Sequence, residues 1–250
     1  MNIFYAVPRP RITGPLLKVL IIVLLLGNPL TAMAQTDAQL SQELATILRA
    51  ARKVISTHQE HINNPQVGHK GLSADVVLEN TYSNFNSAVG YRLNPEGEAK
   101  TALLAAIRQV IDSNQTLINT KGIGFKGFLP AIFAGQVVGA FNHAMKGKIR
   151  LKLTAPLNYI RNPLNRPDRW EQTIIENRFR QPNYIKGKPY YEHVDGADKS
   201  KFRFILPEYY SQSCLGCHGH PKGELDITGG RKEGGVLGEL GGAISVVIYQ

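Results

Sequence analysis

The spacing of apolar residues changes near Lys148, and that change limits the folds open to this chain. Before it, Leu40, Leu44, Ile47, Leu48, Ala51, Val54, Ile55 and Ile62 recur three or four residues apart, the period of one helix face. After it, Ile149, Leu151 and Leu153 alternate with Lys148, Arg150 and Lys152, the period of a half-buried strand. The two elements repeat their faces at different intervals, so neither pattern suits the other. The reading is an α+β fold, helical first and an antiparallel sheet behind.

The helical half divides further. One helix is predicted over residues 38–63, ended by Asn63-Asn64-Pro65. A second starts at Ser73 as N-cap and runs to about Phe85. A third is capped by Asn94, with Pro95 in its first position and Glu96 and Glu98 in its positive first turn. Leu103, Ile107, Val110, Ile111 and Ile118 form its buried stripe. A further apolar helix ends at His143 and Met145. Residues 51–72 and 107–128 align without gaps, with identities at Arg52/Arg108, Val54/Val110, Ile55/Ile111, Gln59/Gln115, Ile62/Ile118, Asn63/Asn119, Gly68/Gly124, Lys70/Lys126 and Gly71/Gly127. Two copies are too few for a solenoid. They read as a duplicated helix-and-turn unit packed as antiparallel helices.

In the second half, the loop RNPLNRPD leads into a short helix carrying Trp170, Ile174 and Ile175. Strands follow at 189–194 and 201–206, joined by a turn at Asp195-Gly196. Phe202, Phe204 and Leu206 share one face. A last strand covers 243–249. The expected organisation is a leader over 1–34, a helical region over 35–145 and a sheet region over 146–250.

The leader has its own signature. Arg9, Arg11 and Lys18 precede an apolar run at 19–26, and Ala32-Met33-Ala34 is a small-x-small cleavage site before Gln35. This is the order of a secretory signal peptide, so cleavage is expected near Ala34 and the mature chain in the periplasm. No later stretch is apolar for long enough to span a bilayer, so no transmembrane segment is expected in it. The formal charge is +10, three of those cations lying in the leader. Lys and Arg are spread rather than clustered, which points away from nucleic acid as a partner.

The chain holds two cysteines, both in Cys214-Leu215-Gly216-Cys217-His218. In C-x-x-C-H the two thiols are spaced to add to the two vinyl groups of a haem, and the next residue offers an imidazole to the iron. Gly216 leaves room for the porphyrin edge. Export fits, because covalent haem attachment takes place outside the cytoplasm. Cys214 and Cys217 are thus read as the attachment points of one haem c and His218 as its proximal iron ligand. A redox disulfide is the first alternative, though such motifs favour a helix start in a βαβ setting. Zinc held by Cys214, Cys217, His218 and His220 is the second, though structural zinc sites draw on separated ligand pairs. On the distal side, His143 or Met145 is expected, since their segment leads into the sheet; His58 is the next choice, and an open site is a further one. Arg150, Lys152, Arg161 and Arg203 are candidates for pairing with the haem propionates.

With these residues in view, the chain resembles the exported c-type haem sensor domains of PAS-like fold. These occur alone and as the extracytoplasmic sensors of bacterial histidine kinases and chemoreceptors. The matching stretches are KGFLPAIFA at 126–134, RNPLNRPDRWE at 161–171, CLGCHGHPKG at 214–223 and KEGGVLGELGGAISVVI at 232–248, together with the helix-end pattern VIxxxQxxIN. The resemblance implies a PAS-like antiparallel sheet with flanking helices and an N-terminal helical extension. It also implies haem on Cys214 and Cys217, with His218 proximal. The sequence stops at Gln250, straight after the last strand, so no kinase or methyl-accepting region is expected. The expected function is a haem-based redox or gas sensor, with a diatomic gas and a redox or signalling protein as its partners. The alternative is a soluble electron carrier. No acid–base constellation suggests an enzyme.

Overall fold

The computed structural model of the chain describes Met1, residues 29–195 and residues 200–250. Most of the expected leader, and Gly196 of the expected turn, lie outside the described residues. No helix among the described residues is long and apolar enough to cross a membrane.

The first helix, α1 (Pro29–Thr57), is followed at once by α2 (Gln59–Asn63). The single helix expected over 38–63 is therefore broken at His58. At the break the His58 ring approaches the Val54 carbonyl through Nδ1 at 2.8 Å, while its own N–H keeps the helical bond to the same oxygen at 3.1 Å. The backbone there leaves the helical region, at ψ 9°. Ser73 caps α3 (Ala74–Val89) as expected, accepting from the Val76 N–H, and Gly90 ends it with a positive φ of 80°, a conformation that costs glycine nothing. The start of α4 (Glu98–Ser113) differs from expectation. Asn94 does not cap it; its Oδ1 accepts from the Glu96 N–H at 3.0 Å in a turn of its own, and Gly97 stands at the N-cap. The Asn-Pro pair thus makes a turn before the helix. Then come α5 (Gln115–Asn119) and α6 (Pro130–Ala144), the latter with Pro130 in its first turn.

The duplicated units face each other and exchange equivalent bonds. Asn119 Oδ1 accepts from the Lys70 N–H at 2.8 Å, and Asn63 Oδ1 accepts from the Lys126 N–H at 3.3 Å. Gln59 donates to the Phe128 carbonyl at 3.2 Å, and Gln115 donates to the Leu72 carbonyl at 2.8 Å. Both lysines are buried, and each ammonium ends on backbone carbonyls: Asn64 and Val67 for Lys70, Ile62 and Ile123 for Lys126.

The sheet has four antiparallel strands, β1 (Ile149–Thr154), β2 (Tyr190–Val194), β3 (Lys201–Tyr209) and β4 (Leu240–Tyr249), in the order β1-β4-β3-β2. Register places Phe202 opposite Ile248, Phe204 opposite Val246 and Leu206 opposite Ile244, with Leu151 opposite Val246. These rows form one apolar face, covered by α1 and α6. The core they make runs without interruption from Leu44 to Val246, so it crosses the boundary expected at Met145. The opposite face packs Ile205 and Ala243 against α7 (Arg169–Ile174) and the π-helical turn Ile175–Phe179 that continues it. The chain is α+β, with helices flanking an antiparallel sheet.

Asn63→Ala and Asn119→Ala should each lower stability by about 1–2 kcal/mol, the cost of leaving a buried N–H without its acceptor. Chemical denaturation of both variants checks this. Similar losses are expected from the two; a loss in one alone would show that only one of the facing loops is pinned.

Candidate functional site

The C-x-x-C-H segment follows directly from the end of β3. The Tyr210 N–H donates to the Glu239 carbonyl at 2.9 Å and the Gly238 N–H to the Tyr210 carbonyl at 2.8 Å, which ties the exit of β3 to the entry of β4. A 3-10 turn, Gln212–Cys214, leads into a single helical turn, α8 (Leu215–His218). Residues three and four apart on a helical turn share a face, so Cys214, Cys217 and His218 are presented together. Both cysteines are free thiols and half-buried.

Glu233 orients His218. The imidazole Nδ1 lies 2.9 Å from Glu233 Oε2, and the carboxylate is 10% exposed. An ionised carboxylate can only accept, so Nδ1 is the donor, and in the neutral ring Nε2 is the nitrogen with the lone pair. Tyr210 stacks on the same ring at a centroid distance of 5.4 Å and 23° between planes. Arg161 anchors the assembly from the far side: it pairs with Glu233 and with Asp226, and donates to the Cys217 carbonyl. Asp226 is fully buried and also accepts from the Thr228 N–H at 2.7 Å and the Thr228 hydroxyl at 2.6 Å. Burial alone would raise its pKa, but the bonds from Thr228 and Arg161 outweigh burial and hold the carboxyl below the usual range. Burial, with the Glu233 carboxylate second, pushes the Tyr210 phenol up. Burial and the Asp226 carboxylate likewise push the Cys217 thiol up. A disulfide-exchange cysteine needs the opposite shift.

The end of α1 reaches this site. Arg49 and Arg52 both pair with Glu208 near the end of β3, and Ser56 Oγ lies 3.1 Å from Ser213 Oγ, next to Cys214. His58 stands two residues further on, at the α1–α2 junction. Its Nδ1 is engaged by the Val54 carbonyl, which leaves Nε2 as the free nitrogen.

The other expected residues lie elsewhere. His143 and Met145 are at the end of α6, beside Ile149, which pairs with Ile248 at the far end of β4. The length of the strand separates them from the motif, roughly 25 Å at about 3.3 Å per residue. His143 is exposed and Met145 is buried in the core. Helix α6 begins near the motif's end of the molecule and runs away from it, a direction that residue spacing does not reveal. Of the four cations considered for propionates, Arg161 is at the motif but committed to carboxylates. Arg203 pairs with Asp168 and Lys152 with Glu171, on the outer sheet face. Arg150 shares that face. His220 is exposed, and among the described residues no three His, Cys, Asp or Glu side chains are gathered as a metal-binding group. Sequence reasoning missed Glu233, Asp226 and Tyr210. Glu233 lies in the matching stretch KEGG, but no spacing rule connects it to His218.

The model of one protein family, described as Tll0287-like, matches residues 31–248. Comparison with curated proteins and with solved structures finds no match. The family match runs through the helical half, the sheet and the cysteine motif as one unit, and the chain belongs to the Tll0287-like family.

Proposed function

We propose that this chain is an exported c-type haem-binding module that acts as a redox or gas sensor in the periplasm. The observation that carries the reading is the common face of Cys214, Cys217 and His218, with the imidazole held by Glu233 so that Nε2 is the free nitrogen. Membership of the Tll0287-like family, which comprises c-type haem sensor domains, supports it.

In this reading Cys214 and Cys217 give thioether links and His218 the proximal ligand. A bound haem supplies a redox-active iron able to take a diatomic ligand. The protein's residues do the rest. Glu233 fixes the tautomer and plane of His218 and raises its basicity, as a partner outside the ligand shell does at metal sites. Tyr210 limits rotation of the ring. Arg161 holds Glu233 in place and ties the motif to the loop after β1. Changes at the motif have a direct route to α1 through Ser213 and Glu208, which is what a sensor requires of its scaffold.

Protein matured in a host that assembles c-type cytochromes should keep its colour through acid–acetone extraction, and Cys214→Ala and Cys217→Ala should each lower the covalent yield. Complete extraction of the colour would overturn the reading. Within it, ready binding of CO supports sensing, and a six-coordinate haem indifferent to CO makes the chain an electron carrier.

Glu233→Gln weakens the bond to His218 Nδ1 and removes a negative charge beside the ligand. Its reduction potential should rise by a small part of the roughly 0.8 V that axial ligation spans, as measured by redox titration against wild type.

His143→Ala and Met145→Ala should leave the absorption spectrum unchanged. Met145→Ala should nevertheless cost about 3 kcal/mol, the loss of a buried side chain from the core. A change of spin state in either variant would bring that residue back as the distal ligand.

A further inference from the structure

The outer face of the sheet carries a cavity of about 630 Å³ between β2, β3 and the helix α7 with its π-helical continuation. It is separate from the cysteine motif: along β3, Arg203 in its wall lies roughly 20 Å from Tyr209 at about 3.3 Å per residue. Trp170 and Tyr190 form an aromatic wall, their ring centroids 6.2 Å apart. The π-helical turn is an irregularity that recurs at functional sites, and here it puts Asn177 and Arg178 into the lining.

The charges on these walls are not matched to each other. Arg169 and Arg178 line the cavity and pair with no carboxylate among the described residues; the Arg178 guanidinium lies 5.6 Å from the Tyr190 ring centroid. Arg203 stacks on Trp170 at 4.3 Å and gives Nη2 to Asp168 at 2.6 Å, but its buried Nε has no partner. Glu192 sits opposite Arg203 in the strand register, yet the two side chains do not pair. Glu192 instead accepts from two neutral donors, Trp170 Nε1 at 2.5 Å and the Tyr190 hydroxyl at 3.0 Å, and meets no cation among the described residues. A half-buried carboxylate without an ion-pair partner is unfavourable, and Arg169 and Arg178 stand at the same cavity without a carboxylate of their own among the described residues. One small molecule bearing both charges would satisfy both.

We propose that this cavity binds a free α-amino acid, its carboxylate held by the arginines and its ammonium by Glu192. Arg178 and Arg169 offer the forked donors that suit a carboxylate. Glu192, at the edges of Trp170 and Tyr190, accepts the ammonium. The rest of the cavity, toward Thr173 and Ile174, takes the side chain. A simple carboxylic acid would leave Glu192 uncompensated, and a simple amine would leave the arginines so. This site stands independently of the haem reading.

The test is calorimetric titration of the haem-loaded protein with each proteinogenic L-amino acid in turn, followed by the amide and N-acetyl forms of the best binder. At least one amino acid should bind at submillimolar concentration, and removing either charge should weaken binding by about tenfold or more. Arg178→Ala and Glu192→Gln should each cost a similar factor while the haem spectrum stays as in wild type. Arg178 is exposed, so its variant decides the matter even if Glu192→Gln does not fold. No binding by any amino acid would overturn the proposal. So would equal binding of the N-acetyl form, which would make the site one for plain carboxylates, or unchanged affinity in Arg178→Ala.

Discussion

The inner face of the sheet has to be covered, and the arrangement of the molecule follows from how that is done. Phe202, Phe204, Leu206, Ile244, Val246 and Leu151 lie in adjoining rows of a four-stranded sheet. Burying each such side chain contributes about 1.5–3 kcal/mol, so the face cannot stay open to water. Helix α1 covers it by running in the same direction as β3. Asp37, early in the helix, bonds Gln250 at one end of the sheet, and Arg49 and Arg52 meet Glu208 at the other. The apolar face thus dictates where the helix lies, and the helix delivers its last turn to the segment that carries the cysteines.

That segment is short and would be poorly defined on its own, since one helical turn has little intrinsic stability. It is ordered by a chain of charge. His218 bonds Glu233, Glu233 pairs with Arg161, and Arg161 pairs with the buried Asp226. Each member compensates the next, which is what allows charged groups to be withdrawn from water. Arg161 comes from the loop after β1, Asp226 and Glu233 from the long connection into β4. Two separate stretches therefore converge on one imidazole, and the ring's orientation depends on the whole sheet being assembled.

Sequence legibility divides along the same lines. The change of period at Lys148, the Ser73 cap, the faces of β1 and β3 and the C-x-x-C-H segment are all properties of neighbouring residues, and the sequence shows them directly. The break at His58 does not show in the apolar spacing, which continues in phase across it to Ile62. The Asn94 turn reads as a cap in the sequence because Asn followed by Pro suits both. The site suffered most. Its orienting carboxylate stands fifteen residues from the histidine it holds, and only the return of the 223–232 loop brings the two together. Arg161 is one of four cations that the sequence offers for haem propionates, but its partners are protein carboxylates. His143 and Met145 stand close to β1 in sequence, but β1 begins at the end of the sheet opposite the cysteines.

The facing repeats have a consequence of their own. Their bonds run from each copy to the equivalent atom of the other, the arrangement found where two identical subunits meet across a two-fold axis. Here both halves belong to one polypeptide. What would be a concentration-dependent association between separate molecules has become an intramolecular one, governed by the effective concentration that the connecting chain imposes. The pairing is therefore insensitive to dilution. It also couples the two halves: a change at Asn63 or Gln59 is felt by Lys126 or Phe128 in the other copy.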